Sequence, residues 1–164
     1  MTVTTVRQYL TEQGVETEQL RHEPTYTATG AAARLGIPAH EVAKTIVLDT
    51  RGGHALAVIP APERLDMGLV HRATGDNLAK LATEEELRRD YPDYELGAFP
   101  PLGSLLQAPL YVDPKIMRQD TIVFAAGTTD TALRARTEAL FRAERPTVVP
   151  LARELDEKDQ EFRG

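Results

Sequence analysis

Two β-prone apolar runs joined through a glycine pair constrain this chain more than any other feature. Thr45-Ile46-Val47-Leu48 comes first, and His54-Ala55-Leu56-Ala57-Val58-Ile59-Pro60 follows the short link Asp49 to Gly53. Gly52-Gly53 in that link is a hairpin signal, because tight hairpin turns need backbone angles that glycine adopts at little cost. Elsewhere helical and extended patterns alternate, yet many strands are separated by hairpin-length links. That combination favours an α+β chain with a mixed or antiparallel sheet over a doubly wound parallel one.

Around the hairpin, Val3, Val6, Tyr9 and Leu10 fall at helical spacing over Thr2 to Gln13, and Gly14 ends that helix. A short strand is expected within Val15 to Glu23. Thr27 or Thr29 caps a helix through Leu35, stopped by Gly36 and Pro38. Ala39 to Lys44 reads as a further helical turn, and Leu65 to Thr74 as a helix ended by Gly75. Thr83 and Glu86 have capping-box spacing and open a helix to about Asp90. Leu110 to Val112, Thr121 to Ala126 and Thr147 to Val149 read as strands. Asp130 or Thr131 is expected to begin a helix carrying Leu133, Leu140 and Phe141. The domain is expected to span residues 1–151. From Ala152 the pattern turns charged, with Arg153, Lys158 and Arg163 among Glu154, Asp156, Glu157, Asp159 and Glu161, and reads as a tail.

Composition removes several function classes. The chain has 164 residues, enough for one domain. It contains no cysteine, which excludes disulfides, thiolate catalysis and cysteine-bound zinc. Its four histidines, His22, His40, His54 and His71, show no metal-ligand spacing, and its single serine, Ser104, lies in no nucleophile-elbow motif. Neither a metal nor an organic cofactor is expected. No apolar run approaches a membrane span, and the N-terminus lacks a secretory pattern, so a cytoplasmic protein with no membrane partner is expected. Lys plus Arg number 19 against 25 Asp plus Glu, a formal net charge of -6. That balance argues against whole-surface nucleic-acid binding and leaves room for a local basic patch.

Three groups of residues can carry chemistry. Lys44 stands at the start of an apolar strand, either as a snorkelling surface cation or as a charge held over a pocket. Gly97-Ala98-Phe99-Pro100-Pro101-Leu102-Gly103 reads as a rigid irregular loop. Its proline-stiffened backbone either makes a simple turn or presents fixed N–H and C=O groups to a ligand. Ala126-Gly127-Thr128 ends a strand where a ligand can approach closely, or where a helix cap follows. Asp113, before Pro114, reads as a turn-holding carboxylate.

These pieces, in this order, resemble the YbaK/prolyl-tRNA-synthetase-associated domain family. The resemblance runs from about Val6 to Leu151. It rests on His22-Glu23-Pro24, Leu35-Gly36-Ile37-Pro38, Lys44-Thr45, Leu56 to Pro60, Leu65-Asp66, the Gly97 to Gly103 loop, Val112-Asp113 and Ala126-Gly127. It implies a mixed, barrel-like β-sheet surrounded by helices. It implies aminoacyl-tRNA deacylase activity, with the family's functional lysine at Lys44. The loop residues Gly97, Pro100, Pro101, Leu102 and Gly103 would face the aminoacyl ester and terminal adenosine, with Ala126, Gly127, Thr128 and His22 beside them. Two departures bear on the amino acid bound: Ala125 stands where the YbaK branch has a serine, and Thr45 where alanine-specific relatives have an amide.

The expected function is therefore a free-standing, trans-acting deacylase that hydrolyses the ester of a mischarged tRNA. Such an ester is already activated, so hydrolysis needs a held 3′ end, a water and a stabilised oxyanion rather than a strong protein nucleophile. The alternative is a non-catalytic module on the same fold, recognising an aminoacyl-adenosine-like ligand or a protein. Partners would be the aminoacyl-tRNA 3′ end and an aminoacyl-tRNA synthetase, with the chain a monomer or weak homodimer. tRNA binding is expected to be weak and salt-sensitive, through a patch near Lys44 with Arg34, Lys80 or Arg134.

Overall fold

The structure, a computed structural model, describes residues 2–155. In chain order it runs α1 (Thr2–Glu12), β1 (Thr17–Arg21), α2 (Ala28–Leu35), a 3-10 turn (Ala39–Glu41), β2 (Ala43–Thr50), β3 (Gly53–Pro60), β4 (Arg64–Leu65), α3 (Met67–Thr74), β5 (Lys80–Leu81) and α4 (Glu84–Asp90). It continues with α5 (Gly103–Leu106), β6 (Leu110–Val112), α6 (Pro114–Met117), β7 (Thr121–Ala125), β8 (Thr131–Arg136), α7 (Thr137–Glu144), β9 (Thr147–Val148) and β10 (Ala152–Arg153).

The hairpin forms as its sequence requires. Strands β2 and β3 pair antiparallel from Ala43 opposite Pro60 to Thr50 opposite Gly53. Gly53 takes φ 113, a backbone conformation that glycine tolerates, and the Thr50 hydroxyl donates to its carbonyl at 2.8 Å. This pair is the middle of a five-stranded sheet ordered β5-β2-β3-β6-β9, in which β6 runs parallel to both neighbours. A second, antiparallel sheet is ordered β1-β8-β7. The fold is thus mixed α+β. The two sheets meet at one isolated bridge, Val42 to Val123, and among the described residues the ladders do not close into a ring. The barrel-like closure implied by the resemblance is not found.

Packing explains the arrangement. Val47, Leu56 and Val58 of the first sheet face Ile122, Phe124 and Leu133 of the second, with Val6 and Leu10 of α1 and Leu140 and Phe141 of α7 closing the same core. The opposite face of the hairpin, Leu48, Ala55, Ala57 and Ile59, is covered by Val70 of α3 and by Leu151. Central strand β3 is therefore buried on both sides. Caps set the helix ends: Thr27 accepts from Gly30 N–H, Thr83 from Glu86 N–H, and Gly36 closes α2 in the left-handed region.

Four local readings are corrected. Residues 131–136 are a strand, not the start of a helix. Their alternation buries Leu133 in the main core and places Arg134 and Arg136 with Ala132 on the other face. The seven-residue spacing from Leu133 to Leu140 imitates a helical repeat across a strand–helix junction. Leu65 belongs to β4, and Asp66 caps α3 through Leu69 N–H at 3.1 Å. The turn after Ala39 ends at Glu41, so Lys44 lies within β2. Ala152 and Arg153, read as the start of a tail, pair with Leu65 and Arg64. The rest of that tail, 156–164, lies outside the described residues. No helix among the described residues is long and apolar enough to cross a membrane.

Candidate functional site

A cavity of about 610 Å³ opens between the two sheets. Its floor comes from Ala43 to Val47 of β2 on one side and Val123 to Ala125 of β7 on the other. The segment from Thr25 to Thr29 forms one rim, and Gly97-Ala98-Phe99 forms the adjoining wall. The described residues lining it include one lysine and one histidine, Lys44 and His22, and no Asp or Glu. In a chain of net charge -6, that exclusion of carboxylates marks a cavity able to accept an anionic or electron-rich ligand.

Lys44 is positioned by a relay. Its Nζ donates to the Glu63 carbonyl at 2.8 Å. Glu63 is buried, and its carboxylate is paired with the Lys115 ammonium. Lys115 Nζ also reaches the Ala152 carbonyl at 3.2 Å. The carbonyl that orients Lys44 therefore sits on a segment pinned from the opposite side. Beside it, the Thr45 hydroxyl is buried and has no hydrogen-bond partner among the described residues. His22 lines the rim, and its Nδ1 donates to the Glu23 carbonyl at 2.8 Å. A carbonyl can only accept, so the neutral ring keeps its proton on Nδ1 and leaves Nε2 as an acceptor.

The loop 97–103 divides in two. Gly97, Ala98 and Phe99 line the cavity, whereas Pro100, Pro101, Leu102 and Gly103 are buried behind it. Leu102 is a main-core residue, and Gly103 opens α5. The apolar content of the loop is why: Phe99 and Leu102 gain more by filling the core than by facing a polar ligand. Phe99 stacks on Tyr94 with ring centroids 5.7 Å apart, which stiffens the wall.

The strand end at 126–128 also divides. Thr128 lines the cavity, but its hydroxyl donates to Asp130 at 2.9 Å. That bond, with a second from Thr131, holds the Asp130 carboxyl below its ordinary range. Ala126 is buried in the core. Gly127 stands behind the wall: its N–H donates to the Ala98 carbonyl at 2.9 Å and its own carbonyl accepts from Glu95 N–H at 2.9 Å. Of the basic patch expected around Lys44, Arg134 is paired with Glu18 at 3.1 Å and is not a wall residue. Lys80 and Arg34 are exposed neighbours of the wall residues Leu81 and Ala31.

The pattern reading passed over the hydroxyl-rich segment Thr25-Tyr26-Thr27-Ala28-Thr29, treating its threonines only as caps. All five line the cavity, and the Tyr26 ring is 78% exposed at its mouth. An exposed aromatic among threonines, just before a helix, was the available signal. This segment lies hard against Gly97, where a methyl group would stand 2.5 Å from the Tyr26 carbonyl at φ 82. Neither backbone can yield. Gly97→Ala is expected to lower stability by about 2–3 kcal/mol in denaturant unfolding. An unchanged midpoint would mean that the two segments do not touch.

The fold is mixed α+β, with a cavity between its two sheets in which the Lys44 ammonium is held by a backbone carbonyl. Comparison with known proteins gives the class. A model described as the aminoacyl-tRNA editing domain matches residues 22–143, and the chain belongs to that family. It is an editing domain of the deacylase kind. A protein of Enterococcus faecalis named as a candidate Cys-tRNA(Pro)/Cys-tRNA(Cys) deacylase, EbsC, is 26% identical over 116 residues, covering 70% of each chain. The crystal structure of a candidate trans-editing enzyme for prolyl-tRNA synthetase is 25% identical and superposes with a TM-score of 0.80, covering 93% of this chain and 97% of that one. The hypothetical protein APE2540 shares the fold, with a TM-score of 0.82 at 24% identity over 90% of this chain and 99% of that one. A non-catalytic module on this fold is not favoured.

Proposed function

We propose that the chain acts in trans on mischarged tRNA, hydrolysing the ester between a wrong amino acid and the terminal ribose in the cavity of Lys44. The observation that carries this is the cavity wall: a fixed ammonium and a histidine among hydroxyls and apolar groups, with no carboxylate in a chain of net charge -6. The volume of about 610 Å³ suits the aminoacylated terminal nucleoside rather than a larger segment.

The chemistry follows from the donor set. Water serves as the nucleophile, because the ester is already activated and needs no covalent intermediate on the protein; the chain has no cysteine, and its one serine, Ser104, is not a wall residue. Lys44 stabilises the negative charge that gathers on the ester oxygen as water adds, and its hydrogen bond to Glu63 fixes it there in advance. His22 Nε2 accepts a hydrogen bond from the terminal ribose or the attacking water. Tyr26 offers a face on which the terminal base can stack. The backbone of Gly97 and Ala98 borders the reacting group, and the buried residues behind it keep that backbone still.

A panel of mischarged tRNAs tests the reading: enzyme-dependent release of the amino acid from at least one is expected, and release from none would overturn it. The same panel reads amino-acid choice. The unpartnered Thr45 hydroxyl and the small Ala125 side chain lie where the aminoacyl group would sit. Thr45→Val removes the hydroxyl at nearly constant volume. We expect unchanged or slightly higher stability, since no hydrogen bond is lost, and a changed order of preference across the panel. An identical order would remove Thr45 from the specificity pocket.

A further inference from the structure

A second concave surface lies at the start of α7, remote from Lys44. It encloses about 900 Å³ and is lined by Arg136, Thr137, Arg142 and Arg145, with Asp120 and Glu138 as its carboxylates. We propose that this groove binds a backbone phosphate of the tRNA whose 3′ end occupies the cavity. This rests on the reading of the chain as a tRNA deacylase.

Three independent features meet there. First, α7 begins uncapped: Arg136 occupies the N-cap position and makes no side-chain capping bond. Thr137 N–H is taken by the Asp120 carbonyl at 3.1 Å, and this first turn is the positive end of the helix. Second, Thr137 is only 2% exposed, lines the groove, and its hydroxyl has no hydrogen-bond partner among the described residues. A buried hydroxyl without a partner costs stability unless a ligand supplies one. Third, the arginines outweigh the acids. Arg142 is paired with Glu138 one turn away, while Arg136 and Arg145 are exposed and make no side-chain ion pair among the described residues. Guanidinium groups beside a helix N-terminus and a hydroxyl match the oxygens of a phosphate diester.

The register links the groove to the cavity. On one face of the β7–β8 ladder, Ala125 stands opposite Ala132, Val123 opposite Arg134, and Thr121 opposite Arg136. Ala125, Val123 and Ala132 line the cavity, and Thr121 and Arg136 line the groove. Ala132 and Arg136 lie four steps apart along the strand, about 13 Å. Arg134 lies midway on that face. A polynucleotide leaving the cavity can therefore follow the ladder and reach the groove within a few nucleotides.

The test uses the mischarged tRNA that the wild type hydrolyses best and the corresponding aminoacylated CCA trinucleotide. The double variant Arg136→Ala, Arg145→Ala is expected to raise KM for the tRNA about tenfold with kcat within twofold, and to leave the trinucleotide unaffected. The slope of log affinity against log salt for uncharged tRNA should fall by about two. Thr137→Val should keep or raise Tm and raise KM for the tRNA about threefold. Equal losses on both substrates, no loss on the tRNA, or a Thr137→Val variant with unchanged KM would overturn the groove's role. If the wild type deacylates no substrate, the deacylase reading fails by itself. The groove is then judged on uncharged tRNA alone, where a slope lowered by about two supports it and an unchanged slope overturns it.

Discussion

Lys44→Met is expected to lower kcat/KM for a mischarged tRNA about 10²- to 10³-fold while the protein stays folded. Methionine keeps most of the side-chain stem and removes only the charge and the donors. The loss is that of one preorganised group facing developing negative charge, a magnitude typical of an oxyanion-hole donor. The Glu63 carbonyl loses its hydrogen bond from Nζ, which costs stability about 1 kcal/mol, far too little to unfold the domain. Single-turnover deacylation with saturating enzyme separates the effect on chemistry from that on binding. Wild-type rates in Lys44→Met would remove Lys44 from the catalytic machinery. A rise in KM alone would make it a binding group for the terminal nucleotide.

The second large effect lies away from the cavity. Asp113→Ala is expected to destabilise the fold by about 3–5 kcal/mol in denaturant unfolding, the range for breaking a buried charged network. Asp113 is fully buried. Its Oδ1 accepts from Lys115 N–H at 2.9 Å, capping α6, and its Oδ2 accepts from Leu151 N–H at 2.9 Å and Ala152 N–H at 3.0 Å. Alanine leaves three backbone donors without an acceptor where water does not reach. Asp113→Asn keeps one side-chain oxygen and should fall between wild type and alanine. The molecules that remain folded at low temperature should keep their activity per folded chain, because the carboxylate touches no cavity residue. A stable Asp113→Ala protein would show that these donors find other partners.

The sequence made the hairpin legible because Gly52-Gly53 and two apolar runs admit few other structures, and the observed register follows directly. The caps at Thr27, Thr83 and Gly36 were legible for the same local reason. Strand β8 was not. Thr131-Ala132-Leu133-Arg134-Ala135-Arg136 carries alanines that favour helix, and only its place between β1 and β7 makes it a strand. Two-residue strands such as β4 and β10 depend on partners far away in sequence and carry no pattern of their own. At the site, Lys44 and Gly97 came from the resemblance to the family; the pattern alone left each open between a structural and a functional role. The burial of Pro100 to Gly103 did not, because whether an apolar loop faces a ligand or the core is decided by what packs behind it. The hydroxyl segment at Thr25 to Thr29 was visible in composition but ambiguous, since threonines before a helix also serve as caps.

The cavity sits on the seam where, among the described residues, one isolated backbone bridge, Val42 to Val123, joins the two sheets and side-chain packing does the rest. A continuous ladder would fix the width of such a cleft, because widening it would break a row of backbone bonds. Here a small rotation of one sheet against the other strains one bridge and leaves each ladder whole. The width of the mouth is then set by side-chain packing across the shared core rather than by a ladder, while the Lys44 ammonium is held by the Glu63 carbonyl in the turn after β3. On the proposed reading, side chains of somewhat different bulk are then met by repacking at the mouth, without moving the ammonium set over the ester. Compliance would lie in the size filter and not in the chemistry.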